Sequence, residues 1–164
     1  MPADPAVIDD LTAKGIEFEE MACDPALADT IQFCEAYDIP LDQSANAILV
    51  ASRRPEGHNA VCLVLASTRL DVNGTVRKKL GVRKVSFASA ELTKDLTGQS
   101  IGGVTVFGLP EGTPVWIDPA VLDHPWVIIG AGSRTAKIRL DPNQLSGLDG
   151  YEVVDDLANP FPVD

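Results

Sequence analysis

Two short glycine-bearing stretches hold the residues best placed to do chemistry. Ile101-Gly102-Gly103-Val104-Thr105-Val106-Phe107-Gly108-Leu109-Pro110 surrounds an uncharged apolar segment with glycines, and Gly130-Ala131-Gly132-Ser133-Arg134 follows the apolar run Trp126 to Ile129. Glycine weakens regular structure and is useful where backbone must come close to a ligand. Together the two stretches suggest a pocket walled by backbone amides. Two tight turns in a small β protein are the plainer reading of glycine pairs taken alone.

Several familiar chemistries are excluded. Gly130-Ala131-Gly132 after an apolar run matches half of a dinucleotide-binding fingerprint, but the third glycine position is Thr135, and Ala136-Lys137-Ile138-Arg139-Leu140 alternates as a strand instead of opening a helix. No G-x-S-x-G elbow, phosphate-binding Walker loop or H-E-x-x-H is present. Cys23, Cys34 and Cys62 are odd in number and lack C-x-x-C spacing, which argues against a disulfide framework and for buried apolar thiols. With His58 and His124 the only histidines, neither a structural metal nor a cofactor is expected. Asp118 precedes Pro119, where a turn-capping role competes with a place in a polar pocket.

The net charge of −11 is unevenly spread. Residues 1–42 hold eleven acids and one base, residues 43–148 twelve bases and eight acids, and residues 149–164 five acids and no base. Arg77, Lys78, Lys79, Arg83 and Lys84 fall within eight residues, so a phosphate-binding surface competes with a solvated helix face despite the acidic total. At 164 residues the chain suits one buried core. No apolar run approaches the roughly 18 to 20 residues that cross a bilayer, and the acidic start lacks a signal-peptide pattern, so a cytoplasmic protein with no membrane partner is expected.

The elements that must position these residues follow from the same pattern. Asp4-Pro5 opens a helix with Val7, Ile8 and Leu11 on one face, ended by Gly15. A short strand is expected over Ile16 to Ala22, then a helix from Asp24-Pro25 with Leu27, Ile31 and Cys34 on one stripe and Thr30 on a more polar side. Ala45 to Ala51 and Ala60 to Ala66 read as a core hairpin joined by a polar loop. A short basic helix ends at Leu80-Gly81, a strand covers Val85 to Ala88, and a helix over Ala90 to Leu96 ends at Gly98. Strands are expected at Val104 to Phe107, Pro114 to Ile117, Trp126 to Ile129 and Ala136 to Leu140, before a short helix from Asp141-Pro142. Without a steady βαβ alternation, this order predicts a single α+β domain, a mixed β-barrel-like sheet with short flanking helices.

The ordered set of features is more specific than any one of them. Asp42-Gln43, Thr68-Arg69-Leu70-Asp71, Lys79-Leu80-Gly81, Gly102-Gly103-Val104-Thr105, Phe107-Gly108, Ile117-Asp118 and Gly130-Ala131-Gly132-Ser133-Arg134 occur in the order and spacing of one family. The chain resembles the YbaK / prolyl-tRNA synthetase-associated editing domain over about residues 5–150, leaving 151–164 as an acidic C-terminal segment. The resemblance implies an α+β fold around a mixed β-barrel and hydrolysis of the ester that joins a wrong amino acid to tRNA, typically tRNA for proline. It implies as partners the aminoacyl end of tRNA and an aminoacyl-tRNA synthetase. Such a second, hydrolytic sieve is needed because a pocket discriminates weakly between amino acids that differ by a methylene.

On this reading Asn46, Gly102 and Gly103 are the catalytic candidates, ordering water and ester, with glycine-loop amides as oxyanion donors. Thr30, Thr105, Val106, Phe107, Gly108, Asp118, Gly130, Gly132, Ser133 and Arg134 are the substrate-binding candidates, and Arg77, Lys78, Lys79, Arg83 and Lys84 would meet the tRNA. Three departures bear on activity. The family lysine, in a pattern like V-x-K-[ST]-L, falls on Asn46, the following hydroxyl residue on Ala47, and the proline of its G-x-x-x-P loop on Val106. Asn46 can orient a water or a carbonyl but supplies no cation. A weakened or retuned deacylase and a non-catalytic binding module that keeps the fold are both expectations of that pattern.

Overall fold

The hairpin at the centre of the molecule is longer than its apolar runs, because the strands continue through the polar linker and turn only at Pro55. The computed structural model describes residues 3–100 and 102–161; Ile101, at the head of the first glycine stretch, lies outside them, as do Met1, Pro2 and residues 162–164. Helix α1 (Pro5–Ala13) begins where Asp4 accepts a hydrogen bond from the Ala6 N–H at 3.0 Å, and it buries Val7 and Leu11. Strand β1 (Phe18–Ala22) follows. The helix expected from Asp24-Pro25 is divided into a 3-10 turn over Pro25–Leu27 and helix α2 (Thr30–Tyr37). Restarting the helix at Thr30 changes which face is buried: Phe33 and Cys34 are inside, whereas Ile31 is 55 % exposed.

The central hairpin is β2 (Ala45–Arg54) and β3 (Glu56–Leu65). After β4 (Thr68–Leu70) come the short basic helix α3 (Arg77–Leu80), β5 (Lys84–Phe87) and α4 (Ala90–Thr97). The remaining strands are β6 (Val115–Ile117), β7 (Val127–Gly130), β8 (Ala136–Leu140), β9 (Tyr151–Val153) and β10 (Ala158–Pro160). A five-stranded mixed sheet has the order β5-β2-β3-β6-β9, a three-stranded sheet the order β1-β8-β7, and β10 pairs with β4. The two larger sheets are bridged between Ser44 and Ile128 and do not close into a barrel among the described residues. The seam between them is where a cavity opens.

Val104 to Phe107 is not a strand. Its backbone groups are satisfied by side chains instead: Gln99, 1 % exposed, accepts from the Thr105 N–H at 2.9 Å and donates to the Phe107 carbonyl at 2.8 Å, and the Tyr151 hydroxyl donates to the Val106 carbonyl. The segment after residue 150 is part of the fold as far as it is described. β9 pairs in parallel with β6, β10 pairs antiparallel with β4, and Leu157 is fully buried. One apolar core lies between α1 and the two larger sheets, and a second lies under α3 and the tail. A third small cluster, with Phe33, Cys34 and Ile128, forms where α2 covers the outer face of the three-stranded sheet. Among the described residues, no helix is long and apolar enough to cross a membrane.

Candidate functional site

The cavity in the seam has a volume of about 330 Å³ and is framed by the start of β2, the end of β7, the first residues of α2 and the loop at Gly102. Asn46 is the second residue of β2 and Thr30 the first of α2, and the Thr30 hydroxyl donates to Asn46 Oδ1 at 2.5 Å. That bond fixes the amide and leaves the Asn46 Nδ2 protons as donors to a ligand. Small apolar residues, Ala45, Ala47 and Val104, make up much of the remaining wall, and Phe87, 56 % exposed, stands at the cavity from the end of β5.

Lys137 supplies the cavity with an ammonium group from β8. Ala136, Ile138 and Leu140 point to the main core, so Lys137 lies on the opposite strand face, which α2 covers. It is 7 % exposed, and its Nζ donates to the Ala28 carbonyl at 2.8 Å and the Gly102 carbonyl at 3.1 Å while lying 5.4 Å from the centre of the Phe33 ring. Desolvation lowers its pKa from the usual lysine value, with Arg134 acting in the same direction and Cys23, Asp29 and Cys34 opposing it. Burial in turn raises the Cys23 and Cys34 thiols above their ordinary range. At the rim, Arg134 pairs with Asp29 at 3.2 Å and donates to the Pro25 carbonyl.

The structure brings together some of the residues singled out from the sequence and separates others. Thr30, Asn46, Gly102 and Gly130 line one cavity. The two glycine stretches interlock through backbone contacts: the Gly132 N–H donates to the Gly103 carbonyl at 2.7 Å, and a Cβ on Gly130 would lie 2.3 Å from the Val104 carbonyl oxygen. The Gly103 N–H donates to Ser100, so it is spent as an oxyanion donor. Val106 and Phe107 are fully buried in the main core, the Gly108 N–H donates to Asp10, and Gly132 packs against Asp4 and Val7 of α1; none of them lines the cavity. Thr105 is held by Gln99 behind the loop, and the Ser133 hydroxyl lies 3.2 Å from that of Thr135. Asp118 sits away from the cavity, where it accepts from the Ala158 N–H at 3.2 Å and ties down β10, with burial raising its carboxyl pKa.

The basic segment divides in the same way. Lys79 pairs with Glu152 at 2.6 Å over the Trp116 ring, and Arg77 donates to the Asn73 carbonyl at 2.8 Å. Lys78, Arg83 and Lys84 are exposed. Lys84 begins β5, whose other end, Phe87, is at the cavity, a run of about 10 Å at the rise of a strand. Sequence reasoning missed Lys137, Asp29, Ser44 and Phe87 among the lining residues. The one signal for Lys137 was its place in an alternating strand directly after a glycine turn, a pattern that reads equally as a solvent-facing lysine.

Comparison with known proteins adds an independent line. Residues 24–148 match the model of a family described as the aminoacyl-tRNA editing domain. The uncharacterized protein YwhH of Bacillus subtilis (strain 168) is 30 % identical over 115 residues, which is 70 % of this chain and 71 % of that protein. Among solved structures, a hypothetical protein, APE2540, superposes with a TM-score of 0.83 at 20 % identity, covering 94 % of this chain and 99 % of the other. A proposed trans-editing enzyme for prolyl tRNA synthetase superposes with a TM-score of 0.78 at 23 % identity, covering 93 % of this chain and 96 % of the other. The two superpositions establish the fold.

Proposed function

Because the chain belongs to the aminoacyl-tRNA editing domain family, we propose that it acts in trans on mischarged tRNA of the proline class, hydrolysing the ester between the amino acid and the terminal ribose. The observation that carries the reading is the seam cavity, in which the Thr30–Asn46 pair, the Gly102 backbone and an apolar wall of small residues line one volume. The proline class follows the structural neighbour described as a trans-editing enzyme for prolyl tRNA synthetase, and a synthetase is the corresponding protein partner.

The ester enters with its amino-acid side chain against Ala45, Ala47 and Val104. Asn46 Nδ2 donates to the ester carbonyl or to the attacking water, its orientation fixed by Thr30. The water oxygen adds to the carbonyl carbon and the carbonyl oxygen becomes an oxyanion held by hydrogen-bond donors. The carbon–oxygen bond to the ribose then breaks, and the ribose oxygen takes up the proton that the attacking water gives up, leaving free amino acid and intact tRNA. Lys84, at the start of the strand whose other end reaches the cavity, and the exposed Lys78 and Arg83 receive phosphates of the acceptor strand in this reading.

The deciding experiment incubates purified protein with a panel of mischarged tRNAs, including those for proline, at two salt concentrations. Deacylation above buffer for at least one of them, weakening as salt rises, is the expected result. Absence of deacylation for every substrate, with tight binding of a 3′-amide aminoacyl-adenosine analogue, would replace the enzyme by a binding module, the second reading that Asn46 at the family's lysine position favours. Absence of both would remove the reading altogether.

A further inference from the structure

The cavity contains a buried cation that the roles above leave unused. Lys137 is more than nine-tenths buried, yet among the described residues no carboxylate is hydrogen-bonded to it: both of its partners there are backbone carbonyls, Ala28 and Gly102. An ammonium has three protons, so one donor remains after these two bonds, and Lys137 lines the cavity into which that donor can act. Burying an ammonium without a hydrogen-bonded carboxylate costs several kcal/mol, a poor way merely to tether a loop. Asp29, whose charge acts on Lys137, is engaged at the rim with Arg134.

We propose that Lys137 is a catalytic residue of this site, donating its third N–H to the carbonyl oxygen of the bound aminoacyl ester and to the oxyanion formed when water adds to it. This rests on the deacylase reading. Position 46 on β2 carries an amide, and the ammonium of this cavity comes from β8, across the seam between the two sheets. The Gly102 carbonyl and the Phe33 ring set where Nζ sits, so the donor is positioned before substrate arrives. The ammonium keeps its proton throughout: electrons from the carbonyl move onto oxygen as the water adds, return as the ribose oxygen leaves, and the charge on Lys137 is the same at both ends of the step.

The test compares wild type with Lys137→Met and Lys137→Ala on the mischarged tRNA that wild type turns over fastest, with circular dichroism to confirm folding. Removal of one oxyanion donor predicts a loss of about 100- to 1,000-fold in kcat with a smaller change in KM for Lys137→Met. Adding ethylammonium to Lys137→Ala restores part of the rate, and ethanol at the same concentration does not; a purely structural tether predicts no such difference. The remaining readout is binding of the 3′-amide analogue, whose carbonyl is the proposed acceptor, and Lys137→Met weakens it at least about 10-fold, or 1.4 kcal/mol. Hydrolysis and analogue binding within twofold of wild type in folded Lys137→Met overturn the role of Lys137 and leave the deacylase reading standing. If Lys137→Met does not fold, failure of ethylammonium to raise the rate of folded Lys137→Ala overturns it instead. Wild-type protein that neither hydrolyses nor binds overturns both.

Discussion

Lys137 and Lys79 each hold an ammonium 5.4 Å from the centre of an aromatic ring, Phe33 in the first case and Trp116 in the second, yet the two regions use the group in opposite ways. On the tail side, under β6 and β9, Lys79 meets the carboxylate of Glu152 at 2.6 Å, and its charge is compensated within the protein. On the cavity side, Lys137 meets only carbonyl dipoles through its hydrogen bonds to the described residues, and its charge stays available to a ligand. The difference lies in the partners and not in the residue type: a carboxylate satisfies both the hydrogen bond and the charge, whereas a carbonyl satisfies the hydrogen bond alone. The same contrast separates Asn46, whose remaining donors face a cavity, from Asp118, whose acceptor is committed to the Ala158 N–H.

The largest effect expected from breaking this contrast is on the rate. Asn46→Ala removes a donor from the cavity and is expected to lower kcat for deacylation by about 100-fold, in the range found for loss of one oxyanion donor. Thr30→Val, which frees the amide to rotate without removing it, should cost less. If Thr30→Val is as damaging as Asn46→Ala, the hydroxyl itself contacts substrate. Steady-state kinetics on the best mischarged tRNA distinguish the two.

Next in size is a loss of stability confined to the tail side. Asp118→Ala leaves the part-buried Ala158 N–H without its acceptor and is expected to cost about 1–3 kcal/mol of unfolding free energy. Hydrogen exchange at Ala158 and Asn159 should quicken, and the rate of the folded variant should remain within twofold of wild type. A rate loss comparable to that of Asn46→Ala would show that the tail and the cavity act as one unit and would end the comparison.

How much of this contrast was visible beforehand depends on whether local pattern or tertiary cover decides it. The capping signals of α1 and the alternation of β8 are local, and the structure follows them. The same alternation places Lys137 opposite Ile138, but only the packing of α2 decides that this face is buried instead of wet. That packing depends on Phe33, whose face of the helix shifts once the chain breaks at Ala28 and Asp29 and restarts at Thr30. The apolar run Val104 to Phe107 has the composition of a strand and becomes a loop because Gln99 and Tyr151 satisfy its backbone. Glycines at 130 and 132 are legible as close approaches, but not whether a ligand, the other glycine stretch or α1 does the approaching.

Stability against pH offers a third contrast, smaller and specific to the cavity side. The lowered pKa of Lys137 means that the unfolded chain binds its proton more tightly than the folded protein does. Stability therefore rises with pH between the folded-state value and the ordinary lysine value of 10.5. The thiols of Cys23 and Cys34, raised by burial, act in the opposite sense above their ordinary value of 9.0. Chemical unfolding of wild type and Lys137→Met across alkaline pH should leave a difference that rises in favour of wild type as Lys137 loses its proton. A flat difference would mean that the burial of the ammonium is relieved in solution.

The smallest effect is expected where the lysine is already matched. Lys79→Met removes an ion pair whose side chains are 29 % and 58 % exposed, so its contribution is screened by solvent and is expected to stay below about 1 kcal/mol. Methionine keeps an apolar stem against Trp116, which further limits the loss. Because the Lys79 charge is answered by Glu152, the salt dependence of tRNA affinity should barely change in this variant. Neutralising Lys84, exposed at the start of the strand that leads to the cavity, should reduce that dependence by about one counterion. Binding titrations of both variants at several salt concentrations test this directly. An equal reduction for Lys79→Met and Lys84→Met would mean that Glu152 releases Lys79 to the nucleic acid, and that an internal carboxylate does not keep a lysine from an incoming phosphate.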